Sequence, residues 1–411
     1  MTISRVAACL LAAMISAAPV AHPAHATDTG AEPSLLAFGA RIAGDDARTR
    51  IVIDFDRKPE YSVHYIANPP RIVVDLPETA FGFAASDLEP RGLFRDIRYG
   101  TMGEGSARLV LTASGPTRLA MSEVQPDEAG KGYRLVLDAE MVSDLVFADL
   151  VKSQEWQQVA SVAPSVTRGD RVASDAVKPG DDFVIAVDAG HGGIDAGASG
   201  VETKTEEKQV TLAFAKTLVE RLNKEAGIKA FLTRDKDEFL SLSQRVQMAR
   251  QHHANLFISL HADTVRQKEI RGATVYTLSE NASDALAANM AARENLSDEI
   301  AGIRLTEEPE EVADILLDLT RRETQAYSVT MARAIVSSFE GQVGLINNPH
   351  RFAGFRVLQA PDVPSILLEL GFLSNKDDER LLLDESWRGK IADLLTEALK
   401  RYRSPNVAKG G

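Results

Sequence analysis

The period of the hydrophobic residues changes once along this chain, and the change divides it in two. From Leu36 to about Val146, apolar residues recur at every second position. Arg50-Ile51-Val52-Ile53-Asp54-Phe55, Tyr61-Ser62-Val63-His64-Tyr65, Arg108-Leu109-Val110-Leu111-Thr112 and Tyr133-Arg134-Leu135-Val136-Leu137-Asp138 all show it. Period two marks strands with one buried face. Arg71-Ile72-Val73-Val74-Asp75-Leu76 follows a Pro69-Pro70 turn and repeats the pattern. Short strands punctuated by Gly and Pro predict a small all-β sandwich over residues 34–148. Residues 149–181, rich in Ser, Gln, Val and small polar residues without periodicity, read as a linker. From Asp182 onward strands alternate with helices. Strands are expected at Phe183–Val187, Lys229–Leu232, Leu256–Leu260, Ala273–Tyr276 and Ser365–Leu370. Helices are expected at Val210–Leu222, Leu242–Gln251 and Trp387–Tyr402. That alternation predicts an α/β domain over 182–405, with a mainly parallel sheet covered by helices on both faces.

A length of 411 residues allows two or three such domains. The first 26 residues read as an export signal. Arg5 opens it, Val6 to Ala18 is apolar, and Ala24-His25-Ala26 offers a small-x-small cleavage site. The apolar run is too short for a membrane span, so a periplasmic protein without a stable membrane anchor is expected. The only cysteine, Cys9, lies inside the signal. Val6-Ala7-Ala8-Cys9 resembles a lipidation site superficially, but no apolar segment precedes it. A mature chain without thiols excludes a cysteine nucleophile and cysteine metal ligands, and suits an oxidising compartment. The net charge of -13 argues against nucleic acid as a partner, since phosphates would be repelled.

The chemistry concentrates where strands end. Val187-Asp188-Ala189-Gly190-His191-Gly192-Gly193 passes from a buried strand into a glycine-dense loop centred on an imidazole. No phosphate-cradling glycine pattern is present, so a metal-ligand role fits His191 better. His261 closes the strand Phe257–Leu260, and ligands of open α/β sheets gather at the carboxyl ends of strands. The run Glu206-Glu207-Lys208 opens the helix that follows the His191 loop. A carboxylate there can serve the helix dipole or complete a site of two histidines and one glutamate with an open fourth position. Glu369 lies within the otherwise apolar strand Ser365–Phe372. Burial is costly for a carboxylate unless it is paired or functional, and it raises the pKa toward the range useful for proton transfer. His252 and His253 are expected to be solvated, His64 belongs to the β half, and His350, after Asn347-Asn348-Pro349, is read as a turn residue and an outside candidate for substrate contact.

Four segments in order, Asp188-Ala189-Gly190-His191-Gly192-Gly193, Glu207-Lys208-Gln209-Val210, Ser259-Leu260-His261-Ala262-Asp263 and Leu368-Glu369-Leu370-Gly371-Phe372-Leu373-Ser374-Asn375, resemble the four motifs of the zinc-dependent N-acetylmuramoyl-L-alanine amidases of the cell-division type. The upstream Asn68-Pro69-Pro70-Arg71-Ile72-Val73-Val74-Asp75-Leu76 resembles an AMIN domain, less specifically. The resemblance implies His191, Glu207 and His261 as ligands of Zn2+ and Glu369 as the catalytic carboxylate. It implies hydrolysis of the amide between N-acetylmuramic acid and L-alanine of peptidoglycan during septal wall splitting.

Between His261 and Glu369, residues 279–339 read as a helical insertion, with Ala285–Ile300 and Glu311–Phe339 as its helices and many acids on its faces. Related division amidases resemble this chain in carrying a helix that covers the zinc and supplies an inhibitory glutamate. Glu294, in Ala292-Arg293-Glu294-Asn295-Leu296, is the residue expected in that role, and a protein with a LytM-type domain is the expected activator. Other readings stay open: a zinc peptidase acting on peptidoglycan stem peptides, a wall-binding scaffold without catalysis, or a zinc carbohydrate deacetylase.

Overall fold

The structure is a computed structural model that describes residues 34–103, 105–127, 130, 132–154, 182–303 and 315–403, with the side chains of 315–319 excepted. The expected signal, most of the expected linker, and the acids Glu307, Glu308, Glu310 and Glu311 lie outside those residues.

The N-terminal half is a sandwich of two sheets. One is ordered β5(Thr79–Phe81)-β1(Leu35–Gly44)-β2(Arg48–Phe55)-β9(Tyr133–Met141)-β8(Thr117–Pro126). The other is ordered β3(Ser62–Ile66)-β4(Arg71–Pro77)-β7(Ser106–Ala113)-β6(Phe94–Met102). Period-two side chains from both sheets, among them Ile51, Ile53, Ile72, Val74, Leu109, Leu111, Leu135 and Leu137, fill the space between them. A helix, α1(Asp144–Ser153), follows, capped by the Ser143 hydroxyl, which accepts from the Val146 amide. It sets Phe147 edge-on against Tyr65. The segment expected to begin a linker at residue 149 is therefore helical as far as Ser153.

The C-terminal half is built on a six-stranded sheet. Its order is β11(Ile228–Leu232)-β10(Phe183–Ala189)-β12(Leu256–His261)-β15(Ser365–Glu369)-β13(Ala273–Leu278)-β14(Leu345–Ala353). The first four strands run parallel; β13 turns antiparallel to β15 and pairs in parallel with β14. One face is covered by α2(Glu207–Leu222), α6(Ile315–Phe339) and α8(Glu385–Arg403), through Phe214, Leu218, Ile335, Phe339, Leu395 and Leu399. The other is covered by α3(Leu242–Gln251) and α4(Ala285–Glu294), through Val246, Ala249, Met290 and Ala291. A short helix, α7(Lys376–Leu383), precedes α8.

Two expectations need correction. The insertion helix does not run unbroken to Ile300: α4 ends at Glu294, and one further turn, α5(Ser297–Ile300), follows. At the break the Asn295 side chain ties the chain to distant backbone, donating to the Gly354 carbonyl and accepting from the Arg356 amide. His350 lies in strand β14, not in a turn. The Asn347-Asn348-Pro349 run makes an irregularity within that strand, where the pairing register with β13 shifts.

Candidate metal centre

Three strand ends and one helix start converge. Strand β10 ends at Ala189, and the chain turns through His191, whose φ of 60° is in the left-handed region that non-glycine residues seldom adopt. Gly190 must lack a side chain, because a Cβ there would lie 2.5 Å from Cε1 of His261. His261 ends β12 and pairs directly with Glu369 at the end of β15, so both side chains leave the same face of the sheet side by side. Glu207 stands in the first turn of α2. Its carboxylate does not cap that helix: one oxygen accepts from the Ala262 amide at 2.7 Å and the other from the Ala198 amide at 2.9 Å.

Each imidazole has one nitrogen occupied by the protein. Nδ1 of His191 sits 2.9 Å from Asp195 Oδ2, and Nε2 of His261 sits 3.2 Å from Ser259 Oγ. The Ser259 hydroxyl spends its proton on Asp188, at 2.7 Å, and so accepts from His261. These partners take one nitrogen of each ring and leave His191 Nε2 and His261 Nδ1 as the nitrogens able to bind a metal once deprotonated. Both atoms are buried without a hydrogen-bond partner. They lie 3.2 Å and 3.4 Å from the two oxygens of Glu207. The three side chains bring donor atoms within 4.8 Å of one another and can hold a metal ion.

The charge balance points the same way. Burial disfavours a charged His191, yet the carboxylates of Glu207, Asp195 and Glu294 outweigh it and hold the imidazole well above its ordinary value. His261, opposed likewise by burial, is pushed up to about 10 by Glu294 and Glu207. Burial would raise Glu207, but the two imidazoles keep it well below the usual carboxylate range. The pocket thus demands positive charge at its centre, which protons supply in the metal-free protein and a divalent ion supplies better.

Glu369 is fully buried. One oxygen accepts from the Asp263 amide at 3.1 Å, while Oε1 has no hydrogen-bond partner. Burial lifts its carboxyl well above the ordinary range; His261 opposes, and Asp263, Glu207 and Glu294 reinforce the rise. Asp263 is itself pushed up to about 8, by burial and then by Glu207 and Glu294.

Glu294, the last residue of α4, reaches into the same space. Its Oε2 lies 3.0 Å from His261 Nδ1 and 3.6 Å from His191 Nε2, and the residue is 6% exposed. The neighbouring Arg293 pairs with Asp263 and donates to the Thr264 carbonyl.

The structure thus brings His191, Glu207, His261, Glu369 and Glu294 together. It places His252 and His253 exposed at the end of α3, and His64 on β3 beside Asp75. His350 Nε2 lies 3.1 Å from Thr277 Oγ1. Sequence reasoning missed the supports: Asp195, Asp188, Ser259 and Arg245. Two of them carried the signal used for Glu369. Asp188 is an acid in an apolar strand, and Arg245 occupies the buried stripe of α3 with Leu242, Val246 and Ala249.

The profile of a family described as N-acetylmuramoyl-L-alanine amidase matches residues 185–401, and the AMIN domain profile matches residues 39–140. The chain is 30% identical over 377 residues to the N-acetylmuramoyl-L-alanine amidase AmiC of Escherichia coli, covering 88% of each chain. It is 36% identical over 283 residues to the N-acetylmuramoyl-L-alanine amidase AmiA of Escherichia coli strain K12, covering 69% of this chain and 95% of that one. To the N-acetylmuramoyl-L-alanine amidase AmiC of Neisseria meningitidis it is 30% identical over 390 residues, covering 90% and 91%.

Proposed function

The chain belongs to the N-acetylmuramoyl-L-alanine amidase family, and on that footing we propose that His191, Glu207 and His261 hold a zinc ion beside which Glu369 moves the protons of the reaction. The enzyme hydrolyses the amide between N-acetylmuramic acid and L-alanine in peptidoglycan, for septal wall splitting in cell division. The observation that carries the zinc reading is the pair of buried imidazole nitrogens, without hydrogen-bond partners, facing the oxygens of Glu207. The donor set of two histidines and one glutamate fits a catalytic zinc with an open fourth position.

A zinc ion held there would polarise the scissile carbonyl and acidify the attacking water. Glu369 then accepts the water's proton and hands it to the departing amine of L-alanine. Burial and neighbouring acids raise its affinity for the proton, which suits a group that must first take it and then give it up. Asp195 and the Ser259–Asp188 pair keep both imidazoles in the tautomer that binds metal. Water is the nucleophile, so a chain without a catalytic thiol can perform the whole reaction.

Glu294 closes the site at rest in this reading. Its oxygen lies within 3.0 Å of His261 Nδ1, where it would compete for the open position of a bound zinc, and Arg293 fastens the same turn to Asp263. An activator, for which a LytM-domain protein is the candidate, would draw the helix away. The compartment proposed is the periplasm, where the wall lies; no helix among the described residues is long and apolar enough to cross a membrane.

Product analysis of digested wall tests the assignment. Purified peptidoglycan treated with activated enzyme should yield glycan with intact lactyl groups and free stem peptides, and a chelator should abolish both. Cleavage within the stems would indicate a peptidase, released acetate a deacetylase, and binding without products a scaffold.

A further inference from the structure

Strand β4 is buried on both faces, which a sandwich alone does not require. Ile72, Val74 and Leu76 face the sandwich core. The alternate residues of β4 and β7, with Val73 and Val110 among them, face the amidase domain, where Val73, Val110 and Ile66 pack with Ile194, Phe239 and Ala301. Ile194 belongs to the His191 loop, and Ala301 ends the α5 turn. One sheet face of the AMIN domain therefore covers both the metal loop and the segment that follows Glu294.

Polar contacts on that face are aimed at the segment's backbone. Arg71 donates to the Glu299 carbonyl. Arg108 is held by Asp75 at 2.5 Å and donates to the Ala301 carbonyl at 2.8 Å. Both carbonyls lie at the C-terminal end of α5, where cations satisfy groups the helix leaves open. Gly302 then passes against the sheet at φ +72°, where a Cβ would lie 3.0 Å from Val73 Cγ2. On the amidase side the same segment is pinned by Ser297 to Asp195 at 2.6 Å and by Asp298 to the Leu242 amide at 2.9 Å. The grip spans residues 297–303, shortly after the glutamate that enters the metal pocket.

We infer that the AMIN domain is the second half of the lock: the sheet face bearing Arg71, Val73, Arg108 and Val110 is a docking surface for residues 297–303, and it holds Glu294 in the metal site. The inference rests on the reading that Glu294 closes the site, and goes beyond it by assigning the closure to contact between the two domains. By linkage, whatever draws the AMIN domain off this segment opens the enzyme, and an activator that opens the enzyme weakens the domain contact.

The test uses the full chain and activator-free hydrolysis of labelled wall. Arg71→Ala with Arg108→Ala cuts the polar grip from the AMIN side. Gly302→Ala disturbs it from the other side and leaves the AMIN domain unaltered, so a folding defect in that domain cannot explain a shared result. Arg118→Ala, whose side chain pairs with Glu140 on the other sheet, is the control. The expected result is a rise of about 5- to 150-fold in both test variants, the usual range of coupling between sites, and none in the control. Hydrogen exchange in residues 285–303 should rise in parallel. In a Glu294→Ala background the arginine substitutions should add nothing, because the lock is already open. If Glu294→Ala is activated while the arginine and glycine variants keep wild-type hydrolysis and exchange, the docking inference falls and the glutamate lock stands. If Glu294→Ala itself stays at the wild-type rate, the lock falls, and the inference with it.

Discussion

Glu294 Oε2 and His261 Nδ1 stand 3.0 Å apart, closer than the 3.4 Å between that nitrogen and Glu207. A helical insertion thus places a carboxylate on a ligand atom as tightly as the metal site's own glutamate does. Two carboxylates around one imidazole are tolerable only with positive charge between them. In the resting state proposed for this site, the same contact would bar water and substrate from the open position. Glu294→Ala should raise activator-free wall hydrolysis by at least about tenfold, a coupling of roughly 1.4 kcal/mol, with bound zinc retained by elemental analysis. Unchanged hydrolysis with zinc in place would refute the closure.

Glu369 is the carboxylate that no metal role absorbs. It is fully buried, and its Oε1 has no hydrogen-bond partner. Glu369→Gln keeps the shape and removes the capacity to carry a proton. The turnover of activated enzyme should fall by about 10²- to 10⁴-fold, the usual worth of a general acid–base group, while zinc content and thermal midpoint stay near wild type. A loss of zinc equal to the loss of activity would make Glu369 a ligand instead.

Zinc loading should release protons. In the metal-free protein His261 is raised to about 10 and His191 stands well above its ordinary value, so the surrounding carboxylates favour the proton-bound form of both imidazoles. Metal needs their lone pairs. The proton is bound below the raised pKa and lost above it, so the apparent zinc affinity should weaken as pH falls from 8 to 6. Calorimetric zinc titrations in buffers of different ionisation enthalpy should show net proton release. Glu294→Ala, by removing a carboxylate that stabilises the protonated form, should reduce it. Affinity independent of pH over that interval would contradict the charge balance drawn from these neighbours.

Much of this site was legible in the chain, for a physical reason. A histidine in a glycine-dense loop at a strand end, and a glutamate inside an apolar strand, stand out from their surroundings, and the strands that end at them, β10 and β15, flank β12 in one sheet. The run from Arg71 to Leu76 was legible as a strand, but its second buried face was not. Continuous Ile72-Val73-Val74 reads the same whether the outward Val73 meets solvent-side loops or another domain. The break at Asn295 was hidden because its side chain bonds backbone 59 and 61 residues away, a partner no local pattern specifies. Asp195 lay in view four residues after His191, yet only the folded loop distinguishes it from an ordinary turn residue.

Asp195 should prove a support rather than a ligand. Its Oδ2 holds Nδ1 of His191 and accepts from Ser297, while Oδ1 accepts from the Gly197 amide. Burial would raise its pKa, but His191 and these bonds hold it below the carboxylate range. Asp195→Asn preserves the shape and weakens the acceptor, so zinc affinity should drop by about 10- to 100-fold, as for other partners of metal-bound histidines. Competition with a chromogenic chelator measures it; affinity within twofold of wild type would remove Asp195 from the metal site's support.

Arg245 holds the same architecture from beneath. Its guanidinium, 1% exposed, donates to Asp188 and to the carbonyls of Ala189, His191 and Leu240. Burial would raise Asp188, but Arg245, Thr233 and Ser259 outweigh it and keep its pKa low. In the wild type, therefore, Asp188 contributes stability above its unfolded pKa, and that contribution is lost as pH falls through the lower folded value. Arg245→Ala strands a buried carboxylate and should cost about 3–5 kcal/mol at pH 7. In the variant the sign reverses. Without the guanidinium, burial raises the folded pKa above the unfolded one, so protonation relieves the penalty. The gap in denaturation midpoint between the two proteins should narrow as pH falls from 7 to 4. Pairing Arg245→Met with Asp188→Leu should restore much of the stability, since an apolar pair can replace a buried ion pair. It should not restore hydrolysis, because the His191 carbonyl then loses its Arg245 donor, and Ser259 loses the acceptor that orients it toward His261. A double variant that regained both stability and wild-type turnover would show that the ion pair serves the fold alone.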